Sequence, residues 1–110
     1  MPSYHLRVAH SFFDRLFGLL WQRTWSVNEG LLLPRCKAIH TLAMRRPIGV
    51  FFMGGRGQVL RCIPCLKPWR IAYHRQAIAI IETPAFDEAN RSDMLTNVAL
   101  AFEPFIDLSL

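Results

Sequence analysis

IGVFFMGGRGQVLRCI, residues 48–63, decides the fold class. Two runs, Ile48 to Met53 and Gln58 to Ile63, are rich in β-branched and aromatic residues. Gly54, Gly55, Arg56 and Gly57 join them and accept positive φ at little cost, so the stretch reads as a β-hairpin whose turn type stays open. Similar short runs lie on both sides: Gly30 to Leu33, Ala38 to Met44, Arg70 to His74 and Ala77 to Glu82. Pro34, Pro47, Pro64, Pro68 and Pro84 fall between runs or at their ends, where a missing N–H donor costs least. Strands are therefore expected to dominate from Gly30 to Glu82.

The flanks read differently. Tyr4, Leu6 and Val8 alternate with His5, Arg7 and Ala9, the period-two pattern of a half-buried strand. Ser11 can cap a helix from about Phe12 to Gln22, with Asp14 in its first turn and Phe13, Leu16, Phe17 and Leu20 forming one apolar stripe. Near the C-terminus Ser92 can cap a helix through about Phe102, with Leu95, Val98 and Phe102 on one side and Pro104 as its stop, although Val98 to Phe102 also reads as a strand. The class expected is mostly β with minor α (α+β), a single domain over residues 1–110 with an N-terminal and a C-terminal helix. Residues 86–110 stand apart as an acidic C-terminal segment.

Composition narrows the function classes. At 110 residues with 52% hydrophobic and 19% charged side chains, the chain has room for one core and is not a disordered tail. Residues 1–81 hold twelve of the thirteen Lys and Arg with only Asp14 and Glu29 as acids, a balance of +10; residues 82–110 carry a balance of −5. Eleven of the cations are Arg, which suits bidentate contact with carboxylate or phosphate. The plainest account of this charge is a solvated surface, and nucleic acid ranks below a small anion or a protein partner, since no nucleic-acid recognition motif is present. Opposite charge suggests that the acidic segment packs across the basic body. The first ten residues lack a secretory pattern, and the longest nonpolar stretch, Ile48 to Gly55, is far shorter than the roughly 18 residues that span a bilayer. Three cysteines, an odd count, fit reduced thiols in a cytoplasm.

Few residues offer chemistry. Cys62-Ile63-Pro64-Cys65 has the spacing of a redox dithiol or of half a zinc site, and Cys36 with His40 could supply two further ligands. The pair follows a strand-like run, however, not a helix N-terminus, and no second close pair supports zinc, so buried apolar cysteines and no metal are expected. Strand alternation puts His40 on one face with Ala38, Leu42 and Met44, the setting of a satisfied core histidine. Arg45 and Arg46 could clamp an anion, and Trp69 beside Arg70 could offer a stacking surface next to a guanidinium. No hydrolase triad order, phosphate-cradling loop or zinc-protease motif occurs, so no cofactor is expected and no enzyme is indicated.

Several segments together resemble the domain-of-unknown-function 192 family. They are Ala9, Phe13 to Leu20, Gly30 to Leu33, Cys36 to Arg45, Pro47-Ile48, Val50 to Phe52, Gly57 to Leu60, Pro68-Trp69-Arg70 and Ala77 to Glu82, in order and at similar spacing from about residue 6 to residue 85. The R-L-x-G-L-L, C-x-x-I-H-T-x-x-M and P-W-R elements carry most of the likeness. The resemblance implies a mostly β, sandwich-like or clam-like domain with short helices, found in bacteria and archaea as secreted or short cytoplasmic forms, with no established activity. Two features depart from it: Gly49 stands where the family usually has Asp, and Glu82-Thr83-Pro84-Ala85-Phe86 with its acidic sequel replaces the usual ending.

The expected role is a small cytoplasmic binding or accessory domain. Its contact residues for a small anionic ligand or a protein partner are His40, Arg45, Trp69 and Arg70. A hydrolytic or metal-assisted enzyme centred on His40, with Cys36 and Glu82, stands second, and nucleic-acid binding through the Arg-rich body third.

Overall fold

The computed structural model describes residues 4–9, 28–42 and 44–106. The expected N-terminal helix, Phe12 to Gln22, lies outside them. Among the described residues seven strands form two sheets: β1 (His5–Val8), β2 (Glu29–Pro34), β3 (Ala38–His40), β4 (Ile48–Met53), β5 (Val59–Leu66), β6 (Ile71–Tyr73) and β7 (Ala79–Pro84). The larger sheet has the order β1-β2-β7-β4-β5, parallel only between β1 and β2, and the smaller pairs β3 with β6 antiparallel. A 3-10 turn, Glu88–Asn90, leads into helix α1 (Arg91–Phe102). The class is thus mostly β with a C-terminal helix.

Every residue of β4 is buried, which is why its sequence runs apolar without alternation. Ile48, Val50 and Phe52 share a core with Leu31, Leu33 and Ile80 and with Ile39 and Ala72 from the small sheet. Phe51 and Met53 join Leu32, Ala79 and Ile81 against Met94, Val98 and Phe102 of α1. The five-stranded sheet is therefore covered on one face by the small sheet and on the other by the helix. Burying a side chain such as Phe51 contributes about 2–3 kcal/mol.

Three expectations are corrected. Pro64 lies inside β5, not beside it; β5 is an edge strand with a register shift opposite Ile48/Val50. The Pro64 carbonyl accepts the Phe86 N–H, and Pro64 falls between the β5 residues paired with β4, Ile63 and Leu66, so the ring removes no ladder donor. The helix is not capped by Ser92: Asn90 is the N-cap residue, without a side-chain cap bond.

Nor does the C-terminal segment dock by charge. The ion pair formed by its described residues is internal, Arg91 to Glu88, while Arg91 Nη2 donates to the Cys62 carbonyl at 3.1 Å. Besides the Phe86 N–H bond to Pro64, the attachment is apolar: Phe86 stacks on Phe51 with ring centroids 5.7 Å apart, and Met94, Val98 and Phe102 fill the core. Gly49 makes room for this path. A Cβ there would collide with Thr83 Oγ1 and lie 2.8 Å from the Phe86 ring, so the glycine and the incoming phenylalanine belong together.

Candidate functional site

The expected strand Ala38 to Met44 ends early, at His40, and the reason is Thr41. Its fully buried side chain donates from Oγ1 to the Lys67 carbonyl at 2.7 Å and accepts from the Arg70 N–H at 2.9 Å. Its backbone N–H donates to the Arg70 carbonyl at 2.9 Å, and its carbonyl accepts from the N–H groups of Trp69 at 3.0 Å and Met44 at 3.2 Å. One residue thus closes the turn after β3 and holds the loop between β5 and β6 against it.

This clamp fixes the outer face of the small sheet. Ile39 and Ala72 point inward, so their neighbours Ala38, His40, Ile71 and Tyr73 point out, with Ala38 opposite Tyr73 and His40 opposite Ile71. His40 is exposed, which overturns the core-histidine expectation. Trp69, in the clamped loop, is 64% exposed, Ile71 71%, Tyr73 57% and Leu42, in the turn after His40, 44%. Four large apolar side chains in water on neighbouring elements are not the scattered hydrophobics of an ordinary surface. Trp69 also has φ +63°, a left-handed conformation costing a non-glycine residue roughly 1 kcal/mol.

The loops that adjoin this face carry positive charge. Residues 30–81 contain no Asp or Glu, and the exposed cations nearby are Arg45 and Arg46 in the loop to β4 and Lys67 and Arg70 in the clamped loop. Among the described residues none of these four is in an ion pair. Of the four expected contact residues, His40, Trp69 and Arg70 therefore sit on adjoining elements, with Arg45 in the next loop. The sequence reading had grouped Leu42 with His40 by alternation but not as a contact residue; it missed Ile71 and Tyr73, which only the pairing of β3 with β6 brings beside His40, and it missed Thr41.

The alternative chemistries are not assembled. Cys36 packs in the core between the sheets, Cys62 against the helix-side core, and Cys65 is exposed, so these thiols and His40 do not surround one point. No group of three His, Cys, Asp or Glu able to hold a metal occurs among the described residues. Cys62 and Cys65 lie three residues apart on a strand, about 10 Å, beyond the reach of a disulfide at about 7 Å. Burial pushes the Cys62 thiol up, with Glu88 adding and Arg91 opposing, the reverse of what a redox thiol needs. Glu82 is fully buried on β7, opposite Leu31 and Val50 on the inter-sheet side, whereas His40 faces outward from the far side of the small sheet. The two do not form an acid–base pair.

The sequence matches the model of the domain-of-unknown-function 192 family, described as "Uncharacterized ACR", over residues 2–93. The buried residues of α1, Met94, Val98 and Phe102, all lie past that match. No curated protein matches the chain. Two crystal structures share the fold. One, from Sinorhizobium meliloti 1021, is described as a candidate transcription regulator, with 18% identity, TM-score 0.62, and 73% of this chain aligned to 67% of that one. The other, from Novosphingobium aromaticivorans DSM 12444, is described as a protein of unknown function, with 15% identity, TM-score 0.63, and 74% of this chain aligned to 64% of that one. The alignment thus spans about two-thirds of the length of each. No helix among the described residues is long and apolar enough to cross a membrane.

Proposed function

The chain belongs to the domain-of-unknown-function 192 family, and from that premise we propose that residues 1–110 act as one small cytoplasmic accessory domain that binds a protein partner through the outer face of β3 and β6. A single observation carries this reading: Ile71 and Tyr73 stand in water on that face, with Trp69 and Leu42 exposed in the loops that adjoin it. Trp, Tyr and Arg are the residues most enriched where protein interfaces concentrate their binding energy, and this face combines all three. His40, Arg45, Trp69 and Arg70 are its contact residues, with Ile71 and Tyr73 added. Left-handed strain at an exposed tryptophan supports the same reading, because strain kept without a packing return belongs with function.

The test is a selection of random dodecapeptides displayed on phage against the folded chain, with each enriched clone re-assayed on the Trp69→Ser/Ile71→Ser variant. Both substituted side chains are exposed, so the variant keeps its core. The proposal expects clones that bind the wild type at least tenfold more tightly than the variant. Enrichment only of clones that bind both equally sinks it.

A second reading, nucleic-acid binding, draws on the acid-free stretch 30–81 and on the description of the Sinorhizobium protein as a candidate transcription regulator. It predicts affinity for an oligonucleotide that falls steeply between 50 and 200 mM salt.

A further inference from the structure

We infer that the occupant of this face is an extended acidic segment of a partner protein carrying apolar anchor residues. The inference rests on the binding role proposed above and specifies the chemistry of what binds. Nine Lys and Arg and no acid occur between residues 30 and 81, and Arg45, Arg46, Lys67 and Arg70, exposed in the loops that adjoin the face, have no ion-pair partner among the described residues. Arg70 uses one Nη1 hydrogen bond on the Trp69 carbonyl at 3.3 Å and keeps its other donors. A partner bearing Lys or Arg would meet only like charge here; a carboxylate meets planar guanidinium forks suited to bidentate contact.

Size separates a segment from a globular surface. Three-residue strands are about 10 Å long and two of them lie about 5 Å apart, so the face and its loop offer a few hundred Å2. A stable globular partner covers about 800 Å2 on each side. An extended chain of six to eight residues fits the smaller footprint, with alternate side chains facing the sheet.

The apolar centre separates protein from nucleic acid. Single-stranded nucleic acid is held by stacking on aromatic rings, which Trp69 and Tyr73 could provide. The most exposed of the four is nevertheless Ile71, which stacks with nothing, flanked in sequence by the two rings and paired across strands with His40. Aliphatic groups in the middle of a platform match leucine- or phenylalanine-like anchors. Carboxylates on either side of such anchors would reach the arginines.

The same selection tests this with separate readouts. Among clones sensitive to Trp69→Ser/Ile71→Ser, Asp and Glu should be enriched at least twofold over the starting library and Lys and Arg depleted. A synthetic peptide of the leading clone should lose at least tenfold in affinity on the Arg45→Glu/Arg70→Glu variant and on replacement of its acids by Lys. Variant-sensitive clones without acidic enrichment overturn the acidic occupant and leave the binding face standing. Absence of any variant-sensitive clone overturns the binding face itself. Tighter binding of a twelve-nucleotide oligothymidylate than of the leading peptide, lost on Trp69→Ser/Ile71→Ser, assigns the face to nucleic acid and overturns the inference.

Discussion

Thr41→Val is the most informative single substitution, because it keeps the shape of the side chain and removes only its hydroxyl. Two close hydrogen bonds go with it, 2.7 Å to the Lys67 carbonyl and 2.9 Å from the Arg70 N–H. Each contributes about 1 kcal/mol net, so the expected loss is about 2 kcal/mol. For a domain of 110 residues that corresponds to a fall of about 9 °C in Tm. The loss should also be local. The backbone bonds Thr41 N–H to Arg70 and Trp69 N–H to Thr41 depend on the same turn, so the amides of Trp69 and Arg70 should exchange with solvent at least tenfold faster, while those of Val50 to Phe52 follow only the global change. Urea unfolding followed by circular dichroism gives the stability, and amide exchange gives the locality. Thr41→Ser, which keeps the hydroxyl, should recover most of both. A Thr41→Val protein within 0.5 kcal/mol of wild type and with unchanged exchange at Trp69 and Arg70 would refute the clamp.

Trp69→Gly should be about 1 kcal/mol more stable than Trp69→Ala in urea unfolding, since glycine alone accepts φ +63° without cost; the opposite order would remove the left-handed assignment. Phe102→Ala empties a fully buried position in the helix-side core and should cost about 3–5 kcal/mol, which would show that the part of the helix past the family match belongs to the core and is not an appendage; a change under 1 kcal/mol would show the reverse. Cys65 should react with a thiol reagent ahead of Cys62. Labelling of Cys62 should rise only at a pH above that of an ordinary thiol, because burial raises its folded pKa and the thiolate is the reacting form; a Cys62 profile equal to that of a free small-molecule thiol would contradict this.

Much of the sheet was legible because strands announce themselves locally. Period-two alternation marks β1, an unbroken apolar run marks β4, and the Gly54 to Gly57 turn forces β4 and β5 together. What stayed hidden depends on tertiary partners. Alternation groups His40 with Ala38, but it does not say which of the two faces is inward; that is decided by Ile39 and Ala72 entering the core beneath. The early end of β3 depends on bonds from Thr41 to residues 26 and 29 positions away, which no local window contains. Pro64 inside β5 is acceptable only because that strand lies at an edge, a fact of sheet order. Charge misled for a physical reason: net charge governs encounter and solubility, while the acidic segment is placed by Phe86, Val98 and Phe102. Of the candidate site, the Trp69-Arg70 pair was visible as a motif, and its apolar company was visible only after the small sheet had formed.

The binding face is tested most directly by titrating the 15N-labelled full chain with the leading selected peptide and mapping the amide shifts. The account predicts shifts confined to residues 38–42, 45–46 and 67–75, saturating together, and absent in Trp69→Ser/Ile71→Ser. Shifts centred on α1 or on β1, with residues 69–75 unmoved, would contradict it.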